Sequence, residues 1–477
     1  MKQAYLIIDI GTGNSKVGVI TEDGSILATA RRNSVYYENH LYKSSIYFKP
    51  DEWISSLEEM IYEVLQKTRG QVRITAVSAS SQRQGIVMIG KKGESLLGCP
   101  NSDMRGAEFI DQLDWDTLFQ INGLAKDGFY SCFKILGTMK REPELASRIE
   151  TYTSISDWVG YLWTGNVVWE RSQTAHTEAY NIRKDCWDPD MCRIIGINIE
   201  QLPPIVAAGT VLGRIKPELA EKFGLSEDVI FVTGAADTQT AIVGTAAEKG
   251  EIIAVNGTTT PMTTIVDEYR PVSPCWLSPH SVSGEYMLEV NCGGTGLNLQ
   301  YFKNSLMKDK SYEELERAAF QKGLPVGLIA MFSEEYQIPR ELSLLVGFIY
   351  DEGVSMSLEP CDYYYAMVLD TAFQMARNYN YLDSVQPSDR DYIVGCGGGF
   401  KGFLTAQALA DISGKEVLLP EGYDQGTMYG CMYYCNKALE RPVVKRRVQK
   451  IFSPHENEAI ENYYQRWLMI RDKLKTG

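Results

Sequence analysis

The stretch AYLIIDIGTGNSKVGVITEDGSILATARR, residues 4–32, decides the fold class of this chain. An apolar run ends at Asp9, a loop of small residues follows, and two further runs, KVGVIT and SILATARR, flank the turn signal Glu22-Asp23-Gly24. Short apolar runs separated by glycine-containing turns are typical of antiparallel strands. The pattern therefore predicts that the chain opens with a β-meander whose first loop is rich in glycine.

A second hairpin of the same design occurs near the middle of the chain, at EIIAVNGTTTPMTTIV, residues 251–266. Just before it, VIFVTGAADTQTAIVG (229–244) reads as strand, glycine-containing turn and helix, and DYIVGCGGGFKGFLTAQALADISG (391–414) repeats that order. Helical spacing of apolar residues covers 50–68 and the C-terminal stretch 456–474. The repeated hairpin predicts an α/β fold with two related domains, 1–245 and 246–477.

Composition and charge narrow the classes of function. A chain of 477 residues is too long for one ordinary core, and 44% hydrophobic with 23% charged residues is typical of a globular protein. The net charge of −14 argues against nucleic acid or an anionic membrane as a partner. The N-terminus lacks the pattern of a signal peptide, and every apolar run is shorter than the ~20 residues of a spanning helix. We therefore expect a cytoplasmic protein with reduced cysteines, and four histidines without a neighbouring cysteine pair argue against a zinc site.

Both hairpin loops are candidates for binding phosphate. Phosphate oxygens need converging backbone N–H groups, and only glycine and small residues let a backbone approach so closely. The first loop offers Thr12, Gly13 and Asn14, followed by Lys16, and Asp9 is placed to hold Mg²⁺ through water. Taken alone, such a loop is more often a plain hairpin turn. The second loop offers Gly257, Thr258 and Thr259 at the corresponding place, and the pair favours nucleotide phosphates.

A third candidate is the run Gly397-Gly398-Gly399 between a predicted strand and a predicted helix. It is suited to seating the ribose or phosphates of a nucleotide against a helix N-terminus. The plainer interpretation is a tight turn that needs positive φ, although three glycines exceed what a turn requires. The spacing excludes the dinucleotide fingerprint, and no glycine-lysine-Ser/Thr sequence forms a Walker loop.

Asp237 is the candidate catalytic residue, because a carboxylate at the end of a buried strand is well placed as a general base toward an alcohol. On local sequence a helix N-cap explains Asp237 equally well. Arg83, Gln84 and Asp103 are candidates for gripping the hydroxyl groups of a substrate, since Arg, Gln and Asp supply bidentate donors and acceptors. A solvated strand edge and a surface ion pair are the alternatives for these residues.

Taken together, these motifs resemble the FGGY family of carbohydrate kinases, within the actin-like ATPase superfamily. DIGTGNSK is similar to the first phosphate motif of the family, NGTTT to the second, GAADTQ to the segment with the catalytic aspartate, and GCGGGFKGFLTAQALADISG to the adenosine motif. LWTGNVVWERSQTAHT and LPPIVAAGTVLGRI also fit, in the same order along almost the whole chain. The resemblance implies two actin-like (ribonuclease H-like) domains around a central cleft.

The resemblance also implies the division of labour and the site. The N-terminal domain is expected to bind mainly the sugar and to carry the first phosphate loop and the catalytic aspartate, and the C-terminal domain to bind mainly the nucleotide. The cofactors implied are ATP and Mg²⁺, and the family allows a homodimer. The roles implied are Asp237 as base, Thr12, Gly13, Asn14 and Thr258 as phosphate contacts, and Arg83, Gln84, Asp103 and Gln239 as substrate contacts.

Within the family, AVSASSQRQGIVMI, CPNSDMRG, SISDWVGYLWTG and the GGGFKG turn are most similar to autoinducer-2 kinases. Gln84 stands where many members have Glu, Thr238-Gln239 after the base resembles L-fuculose kinases, and YDQGTMYGCMYY lacks the usual Glu and Gly-Ala-Ala. These departures leave the sugar open between an autoinducer-2 precursor and an L-fuculose type. The expected function is an ATP-dependent sugar kinase. The alternatives are a non-catalytic sugar sensor and an actin-like ATPase that acts on a protein partner.

Overall fold

The structure is a computed structural model that describes residues 2–334, 346–350, 353, 357–442 and 444–475. It divides into two compact units. The first unit comprises Met1–Gly244, Asp267–Met287 and Gly426–Lys445, and the second comprises Thr245–Val266, Leu288–Gln425 and Arg446–Gly477. In the described part of the chain, no helix has the length and apolar character needed to cross a membrane.

The strands are β1 (Lys2–Ile10), β2 (Asn14–Thr21), β3 (Ile26–Asn33), β4 (Tyr37–Glu38), β5 (Ile46–Tyr47), β6 (Val72–Ser81), β7 (Ile86–Gly90), β8 (Ser95–Cys99), β9 (Ile149–Ser154), β10 (Trp169–Glu170), β11 (Tyr180–Asn181), β12 (Cys186–Trp187), β13 (Ile205–Val206), β14 (Val211–Arg214), β15 (Ile230–Ala236), β16 (Ile252–Val255), β17 (Pro261–Val266), β18 (Trp276–Pro279), β19 (Tyr286–Asn291), β20 (Ile329–Met331), β21 (Gly347–Ile349), β22 (Tyr392–Cys396), β23 (Glu416–Pro420) and β24 (Val448–Phe452). The α-helices are α1 (Pro50–Thr68), α2 (Trp115–Asn122), α3 (Ser131–Arg141), α4 (Pro143–Ala146), α5 (Ile155–Thr164), α6 (Pro189–Ile195), α7 (Pro217–Phe223), α8 (Asp237–Gly244), α9 (Thr295–Leu306), α10 (Tyr312–Lys322), α11 (Pro360–Val385), α12 (Phe403–Ser413), α13 (Gly426–Ala438) and α14 (Glu458–Lys475).

The central sheet of the first unit has the order β14-β15-β6-β1-β2-β3. Its central strands β1, β6 and β15 run parallel, while β2 and β14 pair antiparallel to β1 and β15. β1 is apolar on both faces because each face is covered. Leu6 and Ile8 pack in the core formed with α1 and α5, whereas Tyr5 and Ile7 pack in the core that contains Met432 of α13. A buried central strand explains the continuous apolar run in the sequence.

The second unit repeats this design. Within the sheet of order β18-β19-β17-β16-β22-β23-β24, the strands from β17 to β24 belong to this unit. β16 pairs antiparallel with β17 and parallel with β22, β22 pairs parallel with β23, and β24 is antiparallel to β23. Each unit therefore builds its sheet around a hairpin with a short polar loop, followed by two parallel strands. The α/β fold class predicted from the repeated hairpin is confirmed.

Most predicted elements occur where the sequence places them. The opening meander is β1 to β3, the helix predicted over 50–68 is α1, and the C-terminal helix is α14. The prediction of a glycine-containing turn before Asp237 is wrong, because Gly234 lies inside β15 and the strand continues to Ala236. A Cβ on Gly234 would lie 2.0 Å from the carbonyl oxygen of Ala79 on β6, so this glycine allows close strand contact.

Helices α8 and α13 of the first unit also approach each other through glycines. A Cβ on Gly244 would lie 2.0 Å from the carbonyl oxygen of Gly426, and one on Gly430 would lie 2.0 Å from that of Thr240. Real Cβ atoms do not come so close to backbone oxygen, and the backbone cannot yield as a flexible side chain would. The helix that begins with Asp237 is therefore held against α13 by backbone contact.

We expect Gly430→Ala to destabilise the protein although it improves helix propensity. An alanine in a helix interior ordinarily gains about 0.5–1 kcal/mol over glycine, whereas forcing a methyl group into a packed contact costs typically 1–3 kcal/mol. The destabilisation from the clash with Thr240 should exceed the gain in helix propensity, so the melting temperature and the urea midpoint should both fall. Gly347→Ala is the control, because none of the residues that the structure describes lies within 4 Å of its Cβ position. Equal melting temperatures for the two variants would contradict the close contact.

Candidate active site

The carboxyl ends of three parallel strands gather the candidate residues of the first unit. In register, Asp9 and Ile10 of β1 pair with Ser80 and Ser81 of β6, and Ala236 at the end of β15 also pairs with Ser81. Asp9, the segment after Ser81 and the residue after Ala236 therefore lie along one edge of the sheet. The carboxyl edge of parallel strands is where α/β folds commonly bind ligands.

The loop between β1 and β2 is a tight turn held by neighbouring side chains. The Gly11 N–H donates to the Asn14 carbonyl oxygen at 3.0 Å and closes the turn. Asn101 Nδ2 donates to Thr12 Oγ1 at 2.9 Å, and the Tyr36 hydroxyl donates to the Thr12 carbonyl oxygen at 2.6 Å. The backbone of this loop is thus fixed before any ligand arrives, which favours a preorganised site.

Gly13 lies at the exposed tip of this turn, and a Cβ there would meet no atom of the described chain within 4 Å. Its backbone is open to an approaching group, as expected of a phosphate contact. Lys16 lies opposite Asp9 in the β1–β2 register. The carboxylate of Asp9 accepts a hydrogen bond from the Thr427 hydroxyl at 2.6 Å, which orients it at the strand end.

Asp237 follows β15 directly and is the first residue of α8. It is therefore both a carboxylate at the end of a buried strand and a residue at a helix N-terminus, the two interpretations that the sequence left open. Its Oδ1 accepts from the N–H of Thr238 at 2.7 Å. Burial raises the pKa of Asp237 to about 6, the guanidinium of Arg83 acts against this rise, and the negative charge of Asp9 adds to it. Arg83 and Asp9 therefore both lie within electrostatic range of Asp237, and a pKa of about 6 leaves Asp237 mostly ionised at neutral pH.

A buried carboxylate network lies behind Asp237. The N–H of Ala236 donates to Ser172 Oγ at 3.0 Å, and the hydroxyl of Ser172 donates in turn to the Glu170 carboxylate. The N–H of Glu170 donates to Asp157 Oδ2 at 2.8 Å. Burial raises the pKa of Glu170 well above its usual value and that of Asp157 to about 7. The residue before the candidate base is therefore anchored to two acids that burial favours in the protonated form.

The candidate sugar contacts receive different surroundings. Arg83 is buried, with its guanidinium carbon 5.8 Å from the ring centroid of Trp276. Gln84 has a left-handed φ of 62°, and its carbonyl oxygen accepts from Ser131 Oγ at 3.1 Å. Gln239 is fully buried in α8. Trp276, on β18, is a contact that the sequence did not indicate, because a lone tryptophan in a strand reads as core.

Asp103 is engaged within the chain. Its carboxylate is fully buried and accepts from Ser45 Oγ at 2.6 Å, from the N–H of Ile46 at 3.2 Å and from Arg105 Nε at 2.7 Å. These bonds stabilise a buried ion pair instead of the surface pair considered from the sequence. The predicted contact of Asp103 with a substrate stays a prediction, and it would have to share oxygens that already have partners.

In the second unit, the glycines of 397–399 pack against the loop that follows β16. A Cβ on Gly397, whose φ is 103°, would lie 2.3 Å from the carbonyl oxygen of Asn256, and one on Gly399 would strike the Asn256 side chain. Gly398 is exposed, and in the part of the chain that the structure covers nothing lies within 4 Å of its Cβ position. Two of the three glycines are thus required by packing, and Gly398 leaves backbone open.

The loop after β16 also meets the start of helix α9. Thr258 and Thr259 are exposed, and the Leu297 N–H donates to the Thr258 carbonyl oxygen at 3.0 Å. A Cβ on Gly296 would lie 1.9 Å from the carbonyl oxygen of Gly257, so only glycine permits this contact. Helix N-termini favour anions. The glycines of CGGTG, residues 292–296, were the available signal for this helix start.

Comparison with known proteins matches two stretches of the chain to one family. Residues 4–244 match the N-terminal domain of the FGGY family of carbohydrate kinases, and residues 254–439 match its C-terminal domain. A Bacillus subtilis (strain 168) protein named "Putative sugar kinase YoaC" is 33% identical, over 98% of this chain and 96% of its own length. An autoinducer-2 kinase of Salmonella typhimurium is 25% identical, over 90% of this chain and 84% of its own.

A solved structure shares the fold. The ligand-bound xylulose kinase from Lactobacillus acidophilus aligns with a TM-score of 0.84 and 20% sequence identity, over 99% of this chain and 98% of that one. The resemblance inferred from the motifs is therefore confirmed at the level of the family, and the two-domain actin-like fold with it.

We expect Asp157→Asn to stabilise the protein at pH 8 but not at pH 4.5. Asp157 has a pKa of about 7 when folded and close to 4 in an unfolded chain, so the folded state retains a proton that the unfolded state releases. Stability from this group is therefore lost as pH rises from about 4 to 7. The variant, which has no proton to lose, should gain up to about 4 kcal/mol over wild type at pH 8, because the two pKa values differ by about three units.

Urea unfolding at the two pH values measures this difference. Asp116→Asn is the control, because Asp116 is exposed on α2 and lies outside the buried carboxylate network. An Asp157→Asn effect of the same size at pH 4.5 and pH 8 would contradict a protonated Asp157.

Proposed function

We propose that this chain, which belongs to the FGGY family of carbohydrate kinases, transfers the γ-phosphoryl group of ATP to a hydroxyl of a small ketose or ketose-like polyol. Membership of the family makes it a phosphotransferase with an alcohol group as acceptor. The observation that carries the assignment of the base is the placement of Asp237. Its carboxylate stands at the carboxyl edge of the sheet, within electrostatic range of Arg83 and Asp9, with a raised pKa.

The proposed role of Asp237 is to orient the acceptor hydroxyl and take its proton. Phosphoryl transfer asks the protein mainly to position the reactants and to neutralise charge. A base with a pKa of about 6 is ionised at pH 7.5 yet holds a proton more readily than an ordinary aspartate. The backbone contact of α8 with α13 and the Ser172 bond to the preceding N–H both support a fixed direction for this carboxylate.

The donor set around Asp9 fits Mg²⁺. Asp9 and Asp237 are two carboxylates that repel each other electrostatically, and Mg²⁺ is commonly held by one or two carboxylates together with water and substrate phosphates. The ion, when bound with ATP, neutralises charge on the phosphates. The contribution of the chain is a carboxylate at Asp9 oriented by the Thr427 hydroxyl.

We assign phosphate binding in the first unit to Thr12, Gly13, Asn14 and Lys16. In the second unit we assign nucleotide binding to Gly257, Thr258, Thr259 and Gly397-Gly398-Gly399. The fixed turn at Gly11–Asn14 and the open backbone at Gly398 support these roles. In keeping with the division expected from the sequence, residues 1–245 would bind mainly the sugar and 246–477 mainly the nucleotide.

For the sugar we propose an autoinducer-2 precursor or an L-fuculose type. The relatives named autoinducer-2 kinase support the first, and Thr238-Gln239 after the base supports the second. Arg83, Gln84 and Gln239 are the proposed substrate contacts.

We expect Asp237→Asn to reduce turnover by roughly two to four orders of magnitude while the sugar still binds, because only the general base is lost. ADP release with Mg-ATP is measured across a panel of L-fuculose, L-rhamnulose, D-xylulose, L- and D-ribulose, gluconate, glycerol and the autoinducer-2 precursor. The matched control is Asp116→Asn, an isosteric change at an exposed position.

A variant Asp237→Asn with near-normal turnover would refute the assignment of the base. ADP release that is independent of the sugar would favour a partner-driven ATPase, and sugar binding without ADP release would favour a sensor.

The pH profile tests the electrostatics of the base. Since the base must be ionised, kcat/KM on the best sugar should fall about tenfold per pH unit below a pKa near 6, instead of near 4 for an ordinary aspartate. The cation of Arg83 lowers the pKa of Asp237, so Arg83→Met should move this acid limb to higher pH. An acid limb near pH 4, or one that Arg83→Met moves downward, would contradict the proposed environment.

A further inference from the structure

His176 is a buried polar side chain that the proposed mechanism does not use. It lies in the 3₁₀ turn Ala175–Thr177 of the first unit and is fully buried. Neither of its ring nitrogens has a hydrogen-bond partner among the residues that the structure describes. Buried polar groups in folded proteins are nearly always hydrogen-bonded, so a histidine in this state needs an explanation. A phenylalanine would fill the same space without that cost.

The surroundings of His176 are those of the proposed sugar contacts. Its ring centroid lies 5.5 Å from that of Tyr130 and 6.2 Å from that of Trp276. Burial, and then the charges of Arg83 and Lys134, lower the pKa of His176 well below its usual value. The ring is therefore neutral, with one nitrogen that donates a hydrogen bond and one that accepts. That combination suits a hydroxyl group.

Strand β18 connects His176 to Gln239. Trp276 and Ser278 are two residues apart on this strand and so point to the same face. Trp276 contacts Arg83 and His176 there, and Gln239 Nε2 lies 3.4 Å from Ser278 Oγ. Gln239 is also fully buried, and its Oε1 has no partner among the described residues.

Two buried polar groups with unused hydrogen-bonding atoms thus adjoin one strand face, together with the cation of Arg83. An aromatic ring, a guanidinium and neutral donor-acceptor groups are the chemical groups that complement the apolar C–H face and the hydroxyl edge of a small sugar. β18 is itself anchored, since the Leu277 N–H donates to the Gly123 carbonyl oxygen at 2.8 Å.

We infer that His176 is a specificity-determining residue that hydrogen-bonds a hydroxyl of the sugar other than the one that is phosphorylated. The inference rests on the proposed function, since it assigns this face of β18 to the sugar. The hydroxyl that is phosphorylated is the one that Asp237 orients and deprotonates. His176 selects sugars that carry a second hydroxyl at the matching position, because an analogue without it leaves the buried ring nitrogens unpaired.

The test is binding measured by calorimetry without nucleotide, so that it does not depend on turnover. The ligands are the best-bound sugar of the panel and its monodeoxy analogues. His176→Phe should bind the parent sugar about 10- to 100-fold more weakly than wild type. One monodeoxy analogue should bind both proteins equally, because it lacks the hydroxyl that the ring contacts. His176→Gln, which keeps a donor and an acceptor, should recover part of the lost affinity.

If His176→Phe loses the same affinity for every analogue, the inference is overturned and His176 is a packing residue. Unchanged affinity of this variant for the parent sugar would overturn the inference as well. Thermal unfolding of each variant separates a folding defect from a binding defect, and if His176→Phe does not fold, His176→Gln alone must still show the analogue-dependent loss. Sugar binding by wild type without phosphorylation would overturn the kinase proposal and keep the role of His176. No binding of any panel sugar by wild type would overturn both.

Discussion

The parallel pairing of β1, β6 and β15 is the constraint on which the candidate site of the first unit depends. Each strand leaves the sheet at the same edge, so three segments far apart in the chain deliver Asp9, Arg83 and Asp237 to one place. The pairing itself depends on burial of both faces, which is why β1 alternates between two cores instead of between core and solvent. Loss of either core would separate the charged groups as well as destabilise the sheet.

Desolvation dominates the electrostatics of this edge. Burial is the largest influence on the pKa of Asp237, ahead of the opposing cation of Arg83 and the neighbouring anion of Asp9. Farther inside, burial raises the pKa of Glu170 well above its usual value and that of Asp157 to about 7, so the network behind Asp237 carries less charge than two ordinary carboxylates would. Burial favours the protonated form of Glu170, so Ser172 can bind both Glu170 and the N–H of Ala236 without a full second negative charge near Asp237. Such buried acids reduce stability at high pH, a cost often found near functional sites.

Glycines allow backbone segments to pack closely against other segments in both units. Gly234 lets β15 touch β6, and Gly430 lets α13 touch α8. In the second unit, Gly397 and Gly399 pack on Asn256. The glycines in runs that resemble ligand loops therefore have two different roles, close packing and exposure of the backbone. Contact with the rest of the chain requires most of these glycines, and only those with open Cβ positions, such as Gly13 and Gly398, leave backbone for a ligand.

The sequence by itself determined the fold class, the repeated hairpin and the family, because these depend on local periodicity and on the order of several short motifs. It also marked Asp237, Arg83 and the candidate phosphate loops, whose residue types are visible along the chain. Only the tertiary structure decided that the Asp103 carboxylate accepts hydrogen bonds from Ser45, Ile46 and Arg105, and that Gly234 lies within a strand. It alone brought Trp276 to Arg83 and His176, since contacts between distant segments depend on sheet order and desolvation, which no local pattern encodes.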